Sequence, residues 1–183
     1  MRVLSVTNAV GARSLSALLP GRAIRLRQPA HDWREAVRRA GEALTASGAA
    51  SPAYADEMIA TVEQLGPYIV IAPGIALAHS RPSAAVRRTG LAWVTLAQPV
   101  AFGHPENDPV SLVVALAAVD DSSHVEALAT LANLLGDDER RGALMAASDA
   151  AALRSIVAAY EASHAEGTSL PSIGSSGSDG GRR

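Results

Sequence analysis

The chain has 183 residues, a net charge of −2 and 48% hydrophobic residues, which suits one domain and indicates neither nucleic acid nor an anionic membrane surface as a partner. It contains no cysteine, and its 16 basic residues are all arginines, so thiolate catalysis, Cys-ligated zinc and Schiff-base chemistry are excluded. No apolar run approaches the roughly 20 residues of a membrane span, and we expect a cytoplasmic protein without direct membrane insertion.

The first elements in chain order are a strand and a helix. Residues 23–26 alternate apolar and polar side chains, which is the pattern of a half-buried strand. Asp32 and Glu35 have the spacing of a capping box, and the apolar residues after them keep to one helical face. Gly48 predicts the end of that helix.

A second helix and a group of strands follow. Ser51 is the predicted N-cap of this helix, with Pro52 at the first helical position, and Gly66 ends it. Four short, nearly continuous apolar runs come next, at residues 68–71, 75–79, 90–97 and 110–119. Runs without polar alternation are typical of strands that helices cover on both faces.

The last third of the chain predicts helices and then a tail. Ser123 and Glu126 form a second capping box, Leu144 lies in a short helical piece, and Asp149 is predicted to cap a final helix. After about Ser163 the chain is rich in Ser, Gly and Pro and has little to bury.

These elements together predict an α/β fold, a single-domain sandwich with a mixed, about five-stranded sheet flanked by helices. We expect a ragged N-terminus over residues 1–15, the domain over 16–163 and a disordered tail over 164–183.

The five histidines are the candidate reactive groups, because imidazole changes charge near neutral pH and is a competent nucleophile. His79 ends an apolar run and precedes a loop, so rigid backbone would hold it where a partner can reach it. Taken alone, such a histidine more often has a structural role. His124 falls in the first turn of a predicted helix, where an anion is favoured and the imidazole would stay neutral. We expect the other three, His31, His104 and His164, to be solvated.

Other chemistry has little support. The nucleotide-binding patterns GxxxxGK[ST] and GxGxxG, the zinc-protease pattern HExxH and the hydrolase pattern GxSxG do not occur. We interpret the acidic clusters at 106–108 and 137–139 as solvated loop charge. The sequence predicts no cofactor and no metal.

Residues 66–82, GPYIVIAPGIALAHSRP, resemble the phospho-acceptor segment of enzyme IIA proteins of the mannitol–fructose type. These are components of the bacterial phosphoenolpyruvate-dependent sugar phosphotransferase system (PTS), and the likeness is closest to the ascorbate-type branch. It extends to residues 32–37, 89–102, 107–110 and 117–124 and covers most of residues 20–160.

This resemblance implies a function and a pair of site residues. The family's phosphorylated histidine matches His79, and its second active-site histidine matches His124. The resemblance implies that His79 takes a phosphoryl group from the carrier HPr and passes it to an enzyme IIB, which serves a membrane IIC permease. It also implies a five-stranded mixed sheet, and it requires no cofactor.

The chain departs from the family pattern at two positions. Ala78 stands where the family usually has proline before the histidine, so we expect a looser loop. Glu63 stands sixteen residues before His79, where mannitol-type members have arginine. The positive neighbour of a phosphate would then be Arg81 or a partner's residue, and Glu63 is a candidate hydrogen-bond partner of an active-site imidazole.

We expect an apolar rim, for example Ile75, Leu77 and Val100, as the docking surface. Three other functions remain open at this point. The chain could be a regulatory phosphohistidine module of the same fold, a degenerate domain that transfers nothing, or a metal-binding protein that uses the His79 and His124 pair. The transported sugar cannot be read from this chain.

Overall fold

The computed structural model describes residues 14–166, with side chains as far as His164. Most of the predicted N-terminal segment 1–15 and tail 164–183 lies outside the described residues. Within the described range, the first helix begins at Leu15, which is buried, and the last helix continues to Glu166.

The elements follow the predicted order, with one short helix added before the first strand. The helices are α1 (Leu15–Leu18), α2 (Trp33–Ser47), α3 (Ala53–Leu65), α4 (Asp121–Leu135), α5 (Asp138–Ala146) and α6 (Ala150–Glu166). The strands are β1 (Ile24–Gln28), β2 (Val70–Ala72), β3 (Ile75–His79), β4 (Gly90–Val100) and β5 (Val110–Ala117). A 3₁₀ turn, Gly21–Ala23, leads into β1.

The strands form one mixed sheet in the order β1-β4-β5-β3-β2. The β1–β4 and β3–β5 pairs are parallel, whereas β4–β5 and β2–β3 are antiparallel. Helix α2 packs across β4 and β5. Helix α4 contacts β5, and helix α6 contacts β1. The predicted α/β fold with a five-stranded mixed sheet is confirmed.

The interior strands form the core. Every residue of β5 except Ser111 is buried, and so are the first seven residues of β4. The predicted apolar rim is wrong for this reason: Ile75, Leu77 and Val100 are each at most 7% exposed. Continuous apolar runs indicate strands covered on both faces, so their side chains are unavailable to a partner.

Helix caps show where local sequence was sufficient and where it was not. Asp32 caps α2 as predicted, since its carboxylate accepts from the Glu35 amide at 2.8 Å. The predicted Ser51 cap is wrong, because the residue before α3 is Pro52 and no side chain caps it. Asp149 does accept from the Ala152 amide at the start of α6.

The start of α4 differs from the prediction in a way that affects the site. The N-cap is Asp120, whose carboxylate accepts from the Ser123 amide at 2.7 Å, so the helix begins before the predicted Ser123 cap. Asp and Ser are comparable N-caps, and the chain offers several in succession. His124 therefore lies at the end of the first turn, with its amide bonded to the Asp120 carbonyl at 3.1 Å.

Within residues 14–166, no helix has the length and hydropathy needed to cross a membrane.

Candidate functional site

The sheet topology explains why His79 and His124 meet. β3 and β5 are parallel neighbours, with His79, the last residue of β3, in register with Leu116. The carboxyl ends of parallel strands lie at the same edge of a sheet, which is where open α/β sheets bind ligands. After β5 the chain turns at Asp120 into α4, and this brings the two imidazole ring centroids to 5.1 Å.

The His79 ring is fixed by a bond to its own strand. Its Nδ1 lies 3.0 Å from the Leu77 carbonyl oxygen. A carbonyl can only accept, so Nδ1 carries the proton and donates it. The lone pair of the neutral ring is then on Nε2, while Tyr68 packs edge-on against the ring at a centroid distance of 5.8 Å.

The surroundings of His124 favour the opposite neutral tautomer to that of His79. Its Nδ1 is buried and has no hydrogen-bond partner among residues 14–166. Burial, and then the charge of neighbouring His79, lower the pKa of His124, and the Asp121 carboxylate opposes this by raising it. With no acceptor facing Nδ1, the proton of the neutral ring is best placed on Nε2.

The two rings line a pocket of about 250 Å³. Its other lining residues are Thr61, Leu65, Tyr68, Ser80, Arg81, Pro82 and Asp121. Arg81, the predicted positive neighbour, is exposed at the rim and forms no ion pair within the described part of the chain. The pocket can therefore admit a small anionic group beside both imidazoles, with an unpaired guanidinium at hand.

Glu63 lies apart from this pocket. Its carboxylate is 2.9 Å from the Arg34 guanidinium, in an ion pair whose side chains are about half exposed, and it forms no hydrogen bond to either imidazole. Thr61 lines the pocket instead, and Glu63, two residues later, points about 200° away around α3.

Sequence reasoning missed Thr61. It could have been found from helix phase, because Thr61 and Leu65 are four residues apart and share a face. Glu63 was selected instead because it lies sixteen residues before His79. That count assumes that the connection between α3 and β3 has the same length in all members of the family.

Ala78 does not lie in a loop. It is fully buried in β3 and pairs with Ala115 of β5. The sheet therefore constrains the backbone at the position where the family usually has proline, and this position belongs to a strand and not to the loop that follows it.

The remaining candidates lie outside the pocket. His104 Nδ1 accepts from the Glu106 and Asn107 amides at 3.2 and 3.1 Å, so this histidine shapes its own loop rather than being merely solvated. In the acidic clusters, Asp108 accepts from three successive backbone amides and Asp137 caps α5. Across residues 14–166, no three His, Asp or Glu side chains gather as a metal site.

Fold and pocket define an α/β domain that presents a pair of imidazoles at the carboxyl edge of its sheet. The family model "Phosphoenolpyruvate-dependent sugar phosphotransferase system, EIIA 2" matches residues 17–160. The chain is 41% identical over 124 residues to the ascorbate-specific PTS system EIIA component of Escherichia coli K12, covering 67% of this chain and 80% of that protein.

Solved structures agree with this match. The mannitol-specific cryptic phosphotransferase enzyme IIA of E. coli is 31% identical with a TM-score of 0.71, covering 80% of this chain and 99% of that one. Enzyme IIAMTL of E. coli, solved in complex with phosphorylated enzyme IIBMTL, is 27% identical with a TM-score of 0.67, covering 78% and 99%. The chain belongs to the EIIA 2 family, and it is a phosphotransferase component of the sugar PTS.

Proposed function

We propose that this protein carries phosphoryl groups on Nε2 of His79, accepting them from HPr and passing them to an enzyme IIB. The observation that carries the proposal is the bond from Nδ1 of His79 to the Leu77 carbonyl. It leaves the Nε2 lone pair available next to a second imidazole. The ring nitrogen that receives phosphate follows from the same bond.

The transfer is an in-line displacement at phosphorus. The Nε2 lone pair of His79 forms a new N–P bond while the N–P bond of phosphorylated HPr breaks, and its electron pair stays on the departing imidazole. No proton moves between the two rings: the Nδ1–H of His79 stays hydrogen-bonded to the Leu77 carbonyl, and the departing imidazole likewise keeps the proton on its other nitrogen and leaves neutral. Catalysis of this kind depends mainly on alignment and on stabilising the three phosphoryl oxygens.

The donors for those oxygens come from several parts of the pocket. Nε2–H of neutral His124 can donate to one oxygen. The Asp120 carboxylate engages the Ser122 and Ser123 amides, so the Asp121 amide at the first position of α4 is the backbone donor of this helix N-terminus that remains for an anion. Arg81 adds positive charge from the rim. The negative Asp121 carboxylate repels the phosphoryl group, which weakens its binding enough for the group to be passed on.

Exposed apolar residues form the docking surface in this proposal. Leu65 and Tyr68 line the pocket and are 67% and 39% exposed. They take the role that the sequence wrongly assigned to Ile75, Leu77 and Val100. Further large exposed hydrophobic residues are Ile71, Val119 and Val125. HPr and enzyme IIB would use this surface in turn, the IIC permease being reached only through IIB. Because these partners work in the cytoplasm, we place the protein there.

The test is labelling with ³²P-phosphoenolpyruvate, enzyme I and HPr, followed by addition of enzyme IIB. Wild-type protein and the matched control His31→Ala, which alters an exposed histidine, should take an acid-labile, base-stable label. His79→Ala should take none. Full labelling of His79→Ala would refute the assignment, and a label that no enzyme IIB removes would favour the regulatory alternative.

A further inference from the structure

The hydroxyl of Tyr54 is buried against backbone groups that adjoin the acceptor histidine. Tyr54 lies on α3 and is 1% exposed. Its oxygen is 2.9 Å from the Leu116 carbonyl and 3.1 Å from the Ser80 amide nitrogen, with the Ser80 carbonyl at 3.2 Å. A phenol has one proton, so it donates to the nearer carbonyl, that of Leu116, and accepts from the Ser80 N–H. Burial raises the pKa of Tyr54 to about 12, which keeps the donor protonated.

These two backbone groups are the neighbours of His79 along the chain and across the sheet. Ser80 directly follows His79, and Leu116 is its partner in the β3–β5 ladder. β3 ends at His79, so the next amide has left the strand and needs another acceptor. The Tyr54 hydroxyl supplies it, and thereby joins the two strands one step beyond the last ladder pair.

Two other side chains of α3 hold the same loop. The Thr61 hydroxyl donates its one proton to the Glu57 carbonyl, 2.8 Å away. It therefore accepts from the Ser80 hydroxyl, which lies 3.1 Å from it. The Glu57 carboxylate accepts from the Ser83 hydroxyl at 2.7 Å. Positions 54, 57 and 61 share one helical face. Of the three side chains, only that of Tyr54 reaches the backbone next to His79.

We propose that Tyr54 is a positioning residue for phosphoryl transfer, whose buried hydroxyl fixes the backbone directly after His79 and the backbone of its partner Leu116 on the neighbouring strand. This inference rests on the proposed function of His79. In-line transfer requires the reacting atoms to be about 3–3.5 Å apart and aligned. Without the hydroxyl, the Ser80 N–H and the Leu116 carbonyl lose their partner in a closed site, and the His79–Ser80 backbone must shift to recover hydrogen bonds.

Tyr54→Phe tests the proposal because it keeps the buried ring and removes only the oxygen. The matched control is Tyr160→Phe, which removes the hydroxyl of a buried tyrosine on α6 outside the pocket. With phosphorylated HPr as donor, we expect the saturated transfer rate of Tyr54→Phe to fall about 10- to 100-fold. KM for phosphorylated HPr should change little, because Tyr54 touches no partner. The control should transfer at the wild-type rate.

A spectroscopic measurement separates positioning from a loss of stability. Long-range ¹H–¹⁵N spectra should show the Nδ1–H form of His79 in the wild type and a larger share of the other tautomer in Tyr54→Phe. An unchanged tautomer together with an unchanged rate would overturn the role of Tyr54. A wild-type protein that takes no label would instead overturn the proposed function.

Amide exchange in the wild-type protein keeps the test valid even if Tyr54→Phe does not fold. The Ser80 amide should exchange slowly, as the strand amides do, whereas the Arg81 amide in the next position should exchange fast. Equally fast exchange at both positions would show that the hydroxyl does not hold this backbone, and would overturn the proposal.

Discussion

Replacing Gly41 by alanine should force helices α2 and α3 apart. A Cβ atom at Gly41 would lie 2.5 Å from the Cβ and 3.0 Å from the Cα of Ala55 on α3. Non-bonded carbons prefer a separation of about 3.5–4.0 Å. Neither atom is the end of a flexible side chain, so the helices must separate by an amount on the order of 1 Å.

Two opposing terms set the effect of Gly41→Ala on stability. Overpacking of a tight contact costs about 1–3 kcal/mol, and replacing glycine by alanine in a helix interior returns about 1 kcal/mol. We expect the free energy of unfolding to fall by up to about 2 kcal/mol, which lowers Tm by up to roughly 8 °C for a chain of this size.

The matched control for this substitution is Gly142→Ala on α5. Nothing lies within 4 Å of a Cβ at Gly142, so only the propensity term acts. This variant should be more stable than wild type by about 0.5–1 kcal/mol. Denaturant unfolding of both variants measures the two free energies directly.

A second substitution, Ala55→Gly, tests whether the contact between positions 41 and 55 causes the loss of stability. Ala55→Gly removes the methyl group that Gly41→Ala would strike, so the two changes should be coupled by the whole overpacking term, about 1–3 kcal/mol. Because Ala55 adjoins Tyr54, Gly41→Ala should also slow phosphoryl transfer, and the double variant should restore it. If Gly41→Ala were as stabilising as Gly142→Ala, the contact between the helices would be slack and the argument wrong.

Four further predictions concern His124, its neighbour Asp121, and Glu63 outside the pocket. His124→Ala should still be labelled on His79 but pass phosphate to enzyme IIB about 10²- to 10³-fold more slowly, and an unchanged rate in a two-step transfer assay would count against its role. Asp121→Asn removes the charge that raises the pKa of His124, so the NMR titration midpoint of this ring should fall further. Since the folded-state pKa lies below the ordinary 6.5, the stability from neutral His124 is complete above pH 6.5 and decreases as pH falls toward the folded-state pKa. His124→Gln should flatten the pH dependence of unfolding in that window, and an unaltered slope would exclude this contribution. Glu63→Gln breaks only the half-exposed pair with Arg34, so it should cost less than about 1 kcal/mol and leave transfer unchanged, whereas a large loss of rate would return Glu63 to the site.

Much of this protein was predictable because its signals are local. Four of the five strands are apolar runs, β1 alternates apolar and polar side chains, and Asp32 and Asp149 are unambiguous caps. His79 was identified by its position at the end of such a run and by the motif around it. Local signals failed where several residues could serve equally, as at the N-cap of α4, which is Asp120 rather than Ser123.

The sequence by itself determined which segments are strands and helices, and that one histidine ends a buried strand. Only the tertiary structure decided which side chains surround that histidine. The strand order makes β3 and β5 neighbours, and their parallel pairing brings the segment after β5, with His124, to His79. The phase of α3 turns Thr61 toward the pocket and Glu63 away from it. Local spacing cannot encode such neighbours, because they depend on how elements far apart in the chain pack against one another.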